Sequence, residues 1–317
     1  MSLLFIRETE ARSLISMAQA IDAVENVFRS LSSGESQNIP RQRVRIPGVM
    51  LHSLSAAVSP LGYVGWKNYT TTRTQARFHI ALYNPDGEWV SLLEADWLGQ
   101  LRTGAASGVA TRLIAKEDAQ HVAIFGSGKQ ARTQLQAVCA VRNIQHATVF
   151  SNTPERREEF ARTMSDETGI QVVAADSPAE CVAQAEIICT ATTSKEPVVT
   201  AEMLRAGVHI NAVGSNALNR AELSADCFTR IDKVVCDDVD SCRNEAGDFV
   251  GPMASGSLQW EKISPLASLV TKSEGARTNR EEITLFKSVG MAIEDIAVAA
   301  IVYEAAREAN IGTELEI

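Results

Sequence analysis

The stretch His121-Val-Ala-Ile-Phe-Gly126-Ser-Gly128-Lys-Gln-Ala131 decides the fold of this chain. A short apolar run leads directly into Gly-x-Gly-x-x-Ala, a helix-compatible segment follows over residues 132–141, and a second apolar run covers residues 147–150. In this strand–turn–helix–strand context the glycine pattern binds a dinucleotide. Gly126 permits the tight turn, Gly128 lets the backbone approach a pyrophosphate, and the final alanine lets the helix pack closely against the strand. A Gly-x-Gly pair alone also occurs in ordinary loops, but its place in a βαβ unit favours nucleotide binding.

The chain after this stretch alternates apolar runs with helix-compatible segments. The predicted strands are residues 122–125, 147–150, 187–190, 209–213 and 233–236. The predicted helices are residues 154–167, 178–185, 201–205 and a long, largely apolar region over 281–309. Repeated alternation of this kind predicts an α/β fold with a doubly wound parallel sheet.

The chain before it is richer in short β-like runs. Residues 9–31 have an apolar face at helical spacing, and residues 102–114 are rich in small residues and compatible with a helix. Asn84-Pro-Asp-Gly87 predicts a hairpin turn between strands at 78–83 and 89–93. The sequence therefore predicts an α+β domain ahead of the Rossmann domain.

Composition excludes several classes of function. The 317 residues carry a formal net charge of −9, which argues against a nucleic-acid partner. We expect no membrane association, because no apolar stretch is long enough to span a bilayer and residues 1–11 lack the core of a signal peptide. The six cysteines form no Cys-x-x-Cys pair, and the five histidines lack metal-ligand spacing. We expect a cytoplasmic protein with reduced, mostly buried thiols and no metal.

Three cationic residues stand out in the first part of the chain. Lys67 lies in a β-like run with aromatic neighbours, Arg102 opens Arg-Thr-Gly-Ala-Ala-Ser-Gly, and Arg41 follows Pro40. Guanidinium groups bind carboxylates through two parallel hydrogen bonds, so such residues can hold an acidic substrate. Spacing alone does not show that the three converge, and a lysine in a strand commonly extends to solvent.

Several segments resemble the ornithine cyclodeaminase/μ-crystallin family, in order and over essentially the whole chain. They are Gly65-Trp-Lys67, Arg102-Thr-Gly-Ala-Ala-Ser-Gly-Val-Ala, Gly126-Ser-Gly128-Lys-Gln-Ala131, Ile210-Asn-Ala-Val-Gly214-Ser and Glu282-Ile-Thr-Leu-Phe-Lys-Ser-Val-Gly290-x-Ala-x-Glu-Asp295. The resemblance implies a substrate and dimerisation domain over residues 1–117 with 300–317, and a Rossmann domain over 118–299. It also implies a homodimer that acts on α-amino or α-imino acids with a nicotinamide cofactor.

Site residues follow from this resemblance and from the glycine fingerprint. Arg41 and Arg102 match the arginines that bind the substrate carboxylate, and Lys67 matches the active-site lysine. The cofactor-binding candidates are Thr103, Gly126, Ser127, Gly128, Lys129, Gln130, Ser151, Asn152, Thr153, Arg156, Thr190, Ala191, Thr192, Val213, Gly214, Ser288 and Gly290.

Two departures from the family distinguish among its activities. Members that cyclise ornithine resemble one another in carrying acidic residues where this chain has His52 and Asn216. Ornithine brings an extra ammonium group, which needs a carboxylate partner in a cationic pocket. His52 and Asn216 are pocket candidates in this chain, and their chemistry argues against a cyclodeaminase.

The second predicted strand of the Rossmann domain bears on cofactor choice. NAD-binding domains place Asp or Glu just after this strand to bind the ribose diol, but here the residues are Ser151, Asn152 and Thr153, with Arg156 nearby. Hydroxyl and amide groups beside an arginine favour NADP(H), while use of NAD(H) is also compatible. Arg156 and its neighbour Arg157 are equally compatible with an ordinary solvated helix start.

Taken together, these residues predict an NAD(P)H-dependent reductase of cyclic α-imino acids. The expected substrates are Δ1-pyrroline-2-carboxylate or Δ1-piperideine-2-carboxylate, giving proline or pipecolate. Three alternatives stay open: an ornithine cyclodeaminase, an amino-acid dehydrogenase of the alanine dehydrogenase kind, and a non-catalytic, cofactor-binding protein like μ-crystallin.

Overall fold

Two units make up the chain, and a computed structural model describes residues 2–272 and 276–316 of it. The terminal unit comprises Met1–Arg102 with Gly290–Ile317, and the central unit comprises Thr103–Val289. The sequence placed these divisions later, at 117/118 and 299/300. The first division instead falls inside one uninterrupted helix, Asp96–Ile114, so no linker composition marks it. Residues 1, 273–275 and 317 of the predicted domains lie outside the described residues.

The terminal unit is built on a seven-stranded sheet in the order β15-β1-β6-β5-β4-β3-β2. Its strands are β1 (Ser2–Ile6), β2 (Ser36–Ile46), β3 (Val49–Val58), β4 (Tyr63–Thr71), β5 (Ala76–Tyr83), β6 (Trp89–Glu94) and β15 (Thr313–Glu316). All neighbours are antiparallel except β1 and β6. The predicted hairpin turn at Asn84–Gly87 is confirmed, because it joins β5 to β6.

Helices α2 (Met17–Ser33) and α10 (Ala292–Ala309) pack against this sheet. The unit also contains α1 (Glu8–Ala11) and the first part of α3 (Asp96–Ile114). Helix α10 packs against α2 and against β3 and β4, which buries apolar residues around its whole circumference. The prediction of one continuous helix over residues 9–31 is wrong. The chain leaves the helical path after Ala11, and the Ser16 hydroxyl caps a new helix by accepting a hydrogen bond from the Gln19 amide.

The central unit is built on an eight-stranded parallel sheet in the order β13-β12-β14-β11-β10-β7-β8-β9. Its strands are β7 (His121–Phe125), β8 (His146–Phe150), β9 (Gln171–Ala174), β10 (Ile187–Thr190), β11 (His209–Ala212), β12 (Lys233–Cys236), β13 (Ile263–Pro265) and β14 (Thr284–Lys287). Its helices besides the second part of α3 are α4 (Lys129–Val141), α5 (Pro154–Thr168), α6 (Pro178–Val182), α7 (Val239–Glu245), α8 (Gly247–Ser255) and α9 (Leu266–Lys272). Short 3-10 turns cover Ser59–Leu61 in the terminal unit, and Ala201–Met203, Ala225–Thr229 and Trp260–Lys262 here.

The five strands predicted for this sheet are confirmed to within one residue at each end. Three strands were missed, namely β9, β13 and β14. The prediction of continuous helix over residues 281–309 is wrong, since β14 occupies its first part and α10 begins only at Ala292. A strand buried on both faces is apolar without alternation, so periodicity does not separate it from a buried helix.

Burial agrees with these assignments. Two apolar clusters of the central unit lie on opposite faces of the parallel sheet. All six cysteines are free thiols; Cys139 is half-buried and the other five are buried. Across residues 2–272 and 276–316, no helix has both the length and the apolar character needed to cross a membrane.

Candidate functional site

The predicted cofactor segments of the central unit lie along one edge of its sheet. Phe125, Thr190, Ala212 and Lys287 are paired across adjacent strands, and Phe150 pairs with Phe125 on the other side. The chain therefore leaves five neighbouring strands at the same carboxyl edge, just before Gly126, Ser151, Ala191, Val213 and Ser288. The strand order reverses between β7 and β10, which is the topological switch point where such sheets bind ligands.

The glycine fingerprint has the shape that a dinucleotide requires. Gly126 has φ +106°, and a Cβ atom there would lie 2.5 Å from the Ala191 carbonyl oxygen, so only glycine fits. Gly128 is the N-cap of α4, and a Cβ atom there would meet no heavy atom of the described residues within 4 Å. No described side chain caps this helix terminus by a hydrogen bond. The open helix N-terminus fits a pyrophosphate group.

The two arginines that follow β8, Arg156 and Arg157, lie in different environments. The Ser127 hydroxyl donates a hydrogen bond to Ser151 Oγ at 3.0 Å, which joins the fingerprint to this segment. Arg157 is held internally, because it pairs with Asp176 at 2.8 Å and lies over the Phe150 ring. Asn152, Thr153 and Arg156 are exposed, and the Arg156 guanidinium forms no ion pair within residues 2–272 and 276–316. The solvated-helix interpretation thus does not hold for Arg157.

A buried carboxylate ties together the segments that follow β10 and β11. Glu222 is fully buried and accepts hydrogen bonds from Thr190 Oγ1, from the Thr192 amide and hydroxyl, and from the Gly214 amide, at 2.7–2.9 Å. Burial raises the pKa of Glu222 above its usual value, with Lys287 opposing that shift. Thr190 and Thr192 therefore direct their hydroxyls to this carboxylate.

A buried ion pair lies next to Glu222. Lys287 Nζ is 2.8 Å from Asp248 Oδ2 and donates a hydrogen bond to the Ser215 carbonyl oxygen, and both charged side chains are fully buried. Asp248 accepts hydrogen bonds from the Glu222 and Leu223 amides. Burial opposes the charge on Lys287, but Asp248 and Glu222 hold its pKa above the usual value. We call Glu222, Asp248 and Lys287 the carboxylate-rich cluster.

Sequence reasoning missed this cluster entirely. Lys287 follows the apolar pair Leu285-Phe286, but Glu222 and Asp248 lie in stretches of mixed polarity that give no comparable signal. A similar buried acid, Asp237, accepts hydrogen bonds from Ser288 Oγ at 3.0 Å and from the Val289 amide at 2.7 Å. The Ser288 side chain is therefore also directed to a carboxylate.

In the terminal unit, Lys67 is buried rather than extended to solvent. It lies on β4 with 3% of its surface exposed, and its Nζ donates a hydrogen bond to Asp295 Oδ1 at 2.7 Å. The Phe78 ring centroid is 5.5 Å from the same nitrogen. Burial lowers the pKa of Lys67 to about 8, with Asp295 opposing this shift and Arg102 and Arg41 adding to it.

Arg102 shares the same carboxylate. Its Nε donates to Asp295 Oδ1 at 3.1 Å and its Nη1 donates to Glu294 Oε2 at 2.7 Å, while both acids are fully buried. Its guanidinium lies against Gly290, which has φ +85° and where a Cβ atom would be 2.6 Å from Nη1. Arg41 Nη2 donates to the Gly290 carbonyl oxygen at 3.3 Å.

The structure therefore brings the three predicted cations together. We call Lys67, Arg41, Arg102, Glu294 and Asp295 the cation-rich cluster, since three cations face two carboxylates. The sequence pattern singled out the cations but not their partners. The signal that could have found them is a pair of adjacent acids in the first turn of the apolar helix α10.

His52 lies on the same sheet in a neutral hydrogen-bonded arrangement. Arg43 Nε donates to its Nδ1 at 3.2 Å, so the ring proton is on Nε2, which donates to Thr71 Oγ1 at 3.0 Å. The ring stacks on Tyr69 with centroids 4.1 Å apart. Burial, then Arg43 and Arg41, lower the pKa of His52 to about 4. His52 is thus no replacement for a carboxylate.

The remaining predicted residues lie in the central unit. Asn216 is exposed in the segment after β11, and Lys129 and Gln130 lie in the first turn of α4. The Thr103 carbonyl accepts a hydrogen bond from Gln134 at 3.3 Å. Within residues 2–272 and 276–316, no three His, Cys, Asp or Glu side chains are grouped to hold a metal ion.

Comparison with known proteins adds independent information. A model of the ornithine cyclodeaminase/mu-crystallin family matches residues 3–310. The chain is 37% identical over 231 residues, 73% of its own length and 71% of the relative's, to a Delta(1)-pyrroline-2-carboxylate reductase of Bacillus cereus.

Two solved structures share the whole fold. The Thermococcus litoralis Delta(1)-pyrroline-2-carboxylate reductase in complex with NADH and L-proline superposes with a TM-score of 0.94 at 34% identity, covering 98% of this chain and 99% of that one. An archaeal alanine dehydrogenase dimer with bound NAD superposes with a TM-score of 0.93 at 28% identity over 100% of both chains.

Proposed function

The chain belongs to the ornithine cyclodeaminase/mu-crystallin family, and on that premise we propose that it reduces cyclic α-imino acids with NAD(P)H. The substrates are Δ1-pyrroline-2-carboxylate or Δ1-piperideine-2-carboxylate, and the products are proline or pipecolate. The reductases named above supply the reaction class. The observation in this chain that carries the proposal is the cation-rich cluster.

The charge of this cluster matches the substrate. Three cations against two carboxylates leave one positive charge, which complements one substrate carboxylate. Arg102 and Arg41 bind that carboxylate and so orient the ring, because guanidinium groups form directional pairs with carboxylates. The Phe78 ring lies beside Lys67 and stacks on Tyr69, so aromatic surface is available for a flat substrate ring.

Lys67 is the candidate proton source for the imine nitrogen. With a pKa near 8 it is mostly protonated at neutral pH, yet it can release a proton more readily than an exposed lysine. NAD(P)H, when bound, supplies the hydride that the carbon of the C=N bond receives. The residues of the chain then bind, orient and protonate the substrate.

The cofactor is held in the central unit by the fingerprint and by the segments after the neighbouring strands. Gly126, Ser127, Gly128, Lys129 and Gln130 form the pyrophosphate site. Ala191, Val213 and Thr103 supply backbone or side-chain contacts, while Thr190, Thr192, Gly214 and Ser288 act through the buried carboxylates that they contact. Gly290 acts by making room for Arg102.

We propose further that NADPH is preferred over NADH. The support is the exposed Arg156 guanidinium beside Asn152 and Thr153, and the absence of an acid at Ser151. A 2′-phosphate finds a cation and hydroxyl donors here, where an NAD-specific domain has a carboxylate.

We also propose a cytoplasmic homodimer. An outer face of the terminal sheet exposes apolar side chains on two neighbouring strands: Val44 and Ile46 at 66% and 68% exposure, and Leu51, which is paired with Val44. Contiguous exposed apolar surface of this kind favours burial against a partner. Sedimentation of the wild type and of Val44→Glu tests this, since the variant should be monomeric.

One assay tests the function. Purified protein is given NADPH or NADH with each cyclic imine, with pyruvate plus ammonia, and with ornithine plus catalytic NAD. We expect NADPH-linked reduction of a cyclic imine to be the fastest reaction, and ornithine not to be cyclised, because neither His52 nor Asn216 supplies a carboxylate. Faster turnover of pyruvate plus ammonia would indicate an alanine dehydrogenase, and release of proline and ammonia from ornithine would indicate a lyase.

A further inference from the structure

Asp295 is positioned to act on two cations at once. Its Oδ1 accepts hydrogen bonds from Lys67 Nζ at 2.7 Å and from Arg102 Nε at 3.1 Å, and its side chain is fully buried. Its Oδ2 is buried and has no hydrogen-bond partner among the described residues. Glu294, the preceding residue, contacts Arg102 alone among these two cations.

We infer that Asp295 is a positioning residue for the proposed reduction, and that it fixes Lys67 and Arg102 relative to each other and keeps Lys67 protonated. Glu294 has a different role, because of these two cations it contacts Arg102 and not Lys67. The inference rests on the proposed function for the reaction concerned, but the contacts that carry it are independent of that function.

The electrostatic part follows from what surrounds Lys67. The charged groups that act on it come from three elements: Asp295 from α10, Arg102 from α3 and Arg41 from β2. Burial and both arginines disfavour the ammonium form, so Asp295 is the group that favours it. Glu294 compensates part of the charge of Arg102, the cation that Asp295 also contacts.

The geometric part follows from the shared oxygen. Because one atom accepts both hydrogen bonds, displacement of that carboxylate moves Lys67 and Arg102 together. A substrate carboxylate on the arginine and an imine nitrogen near the lysine need this fixed separation, since misplacement of about 1 Å can reduce rates by about 100-fold.

Matched variants separate these roles: Asp295→Asn removes the charge and nearly preserves shape, Glu294→Gln does the same one residue earlier, and Asp295→Glu restores the charge. The pH dependence of kcat/KM for the cyclic imine is measured for each. In the wild type, kcat/KM should fall as pH rises through about 8, because Lys67 loses its proton there. In Asp295→Asn that fall should move down by about 1 pH unit or more, with a lower kcat. Asp295→Glu should return it toward the wild-type position.

Glu294→Gln should instead raise KM for the imine and move the fall in kcat/KM by less than Asp295→Asn does, because Glu294 makes its hydrogen bond to Arg102 and not to Lys67. Circular dichroism and thermal unfolding establish that each variant folds. Equal behaviour of Asp295→Asn and Glu294→Gln, or an unmoved pH profile in Asp295→Asn, would overturn the inference.

A second measurement does not depend on the substrate. In protein carrying 13Cε-lysine, with the Lys67 signal assigned by its loss in Lys67→Met, NMR titration gives the pKa of Lys67 directly. It should be lower in Asp295→Asn than in the wild type and in Glu294→Gln. If no imine is reduced, the proposed function fails while this titration still decides the role of Asp295; an unchanged pKa contradicts it whatever the substrate.

Discussion

Each unit of the chain buries a cluster of charged side chains, and the two clusters are balanced in opposite ways. In the terminal unit, three cations face Glu294 and Asp295. In the central unit, Lys287 faces Glu222 and Asp248. Burying unpaired charge is costly, so each excess needs an explanation.

The explanation differs between the clusters. In the carboxylate-rich cluster the extra negative charge is met inside the unit by amides, including those of Thr192, Gly214 and Leu223. Such a cluster holds loops in place. The cation-rich cluster has an excess that suits an incoming anion. A buried cluster whose excess charge is met by hydrogen bonds from its own unit therefore has a structural role. A cluster whose excess charge is not met in this way is a candidate ligand site.

The largest effect on stability should come from removing the cation of the carboxylate-rich cluster. Lys287→Met leaves Asp248 and Glu222 buried without their cation, which should lower the free energy of unfolding by about 3–5 kcal/mol. Urea denaturation measures this. Lys287→Met with Asp248→Asn removes both charges and should recover part of the loss. A loss below about 1 kcal/mol in Lys287→Met would mean that the pair does not stabilise the unit.

The next largest effect is expected on catalysis, at the cation-rich cluster. Arg102→Ala should raise KM for the imino acid and lower kcat/KM by an amount equivalent to about 2–4 kcal/mol, because a charge-assisted contact to the substrate is lost. NADPH affinity should change little. Arg102→Lys keeps the charge without the planar guanidinium and should lie between the two. Near-normal kinetics of folded Arg102→Ala would make Arg102 merely structural.

These clusters also show how far sequence reasoning reaches. The fingerprint and the β/α alternation located five strands, since turns and glycines punctuate them. The same pattern did not predict β14, because the fully buried run Thr284–Lys287 has no polar alternation. This strand contains Lys287 of the carboxylate-rich cluster. Lys67, Arg41 and Arg102 were predicted as site residues from the sequence, but Glu294 and Asp295 were not. Arg102 and its two carboxylate partners are more than 190 residues apart in the sequence and come together only in the folded chain. Their separation in the sequence does not predict their distance in space.

A smaller effect, on cofactor selectivity, is expected at the edge of the central sheet. Ser151→Asp should reduce kcat/KM for NADPH about tenfold or more relative to NADH, because the new carboxylate repels a 2′-phosphate and binds a ribose diol. Arg156→Ala should weaken NADPH selectively, whereas Arg157→Ala should affect both cofactors alike, since Arg157 is held by Asp176 and Phe150. Higher kcat/KM for NADH in the wild type would contradict the interpretation of this segment.

The smallest effect concerns His52, which lies beside the cation-rich cluster without adding to its charge. Its pKa near 4 means that it stays neutral as pH falls from 8 to 5, so it should contribute no ionisation in that range. The pKa of His52 is lowered because burial and the cations Arg43 and Arg41 all disfavour a further positive charge. In 15N-histidine-labelled protein, the His52 signals, assigned with His52→Gln, should show the Nε2–H tautomer throughout this range. Protonation of His52 near pH 6.5 would instead add a fourth cation to the site and require an anionic partner that the cluster does not provide.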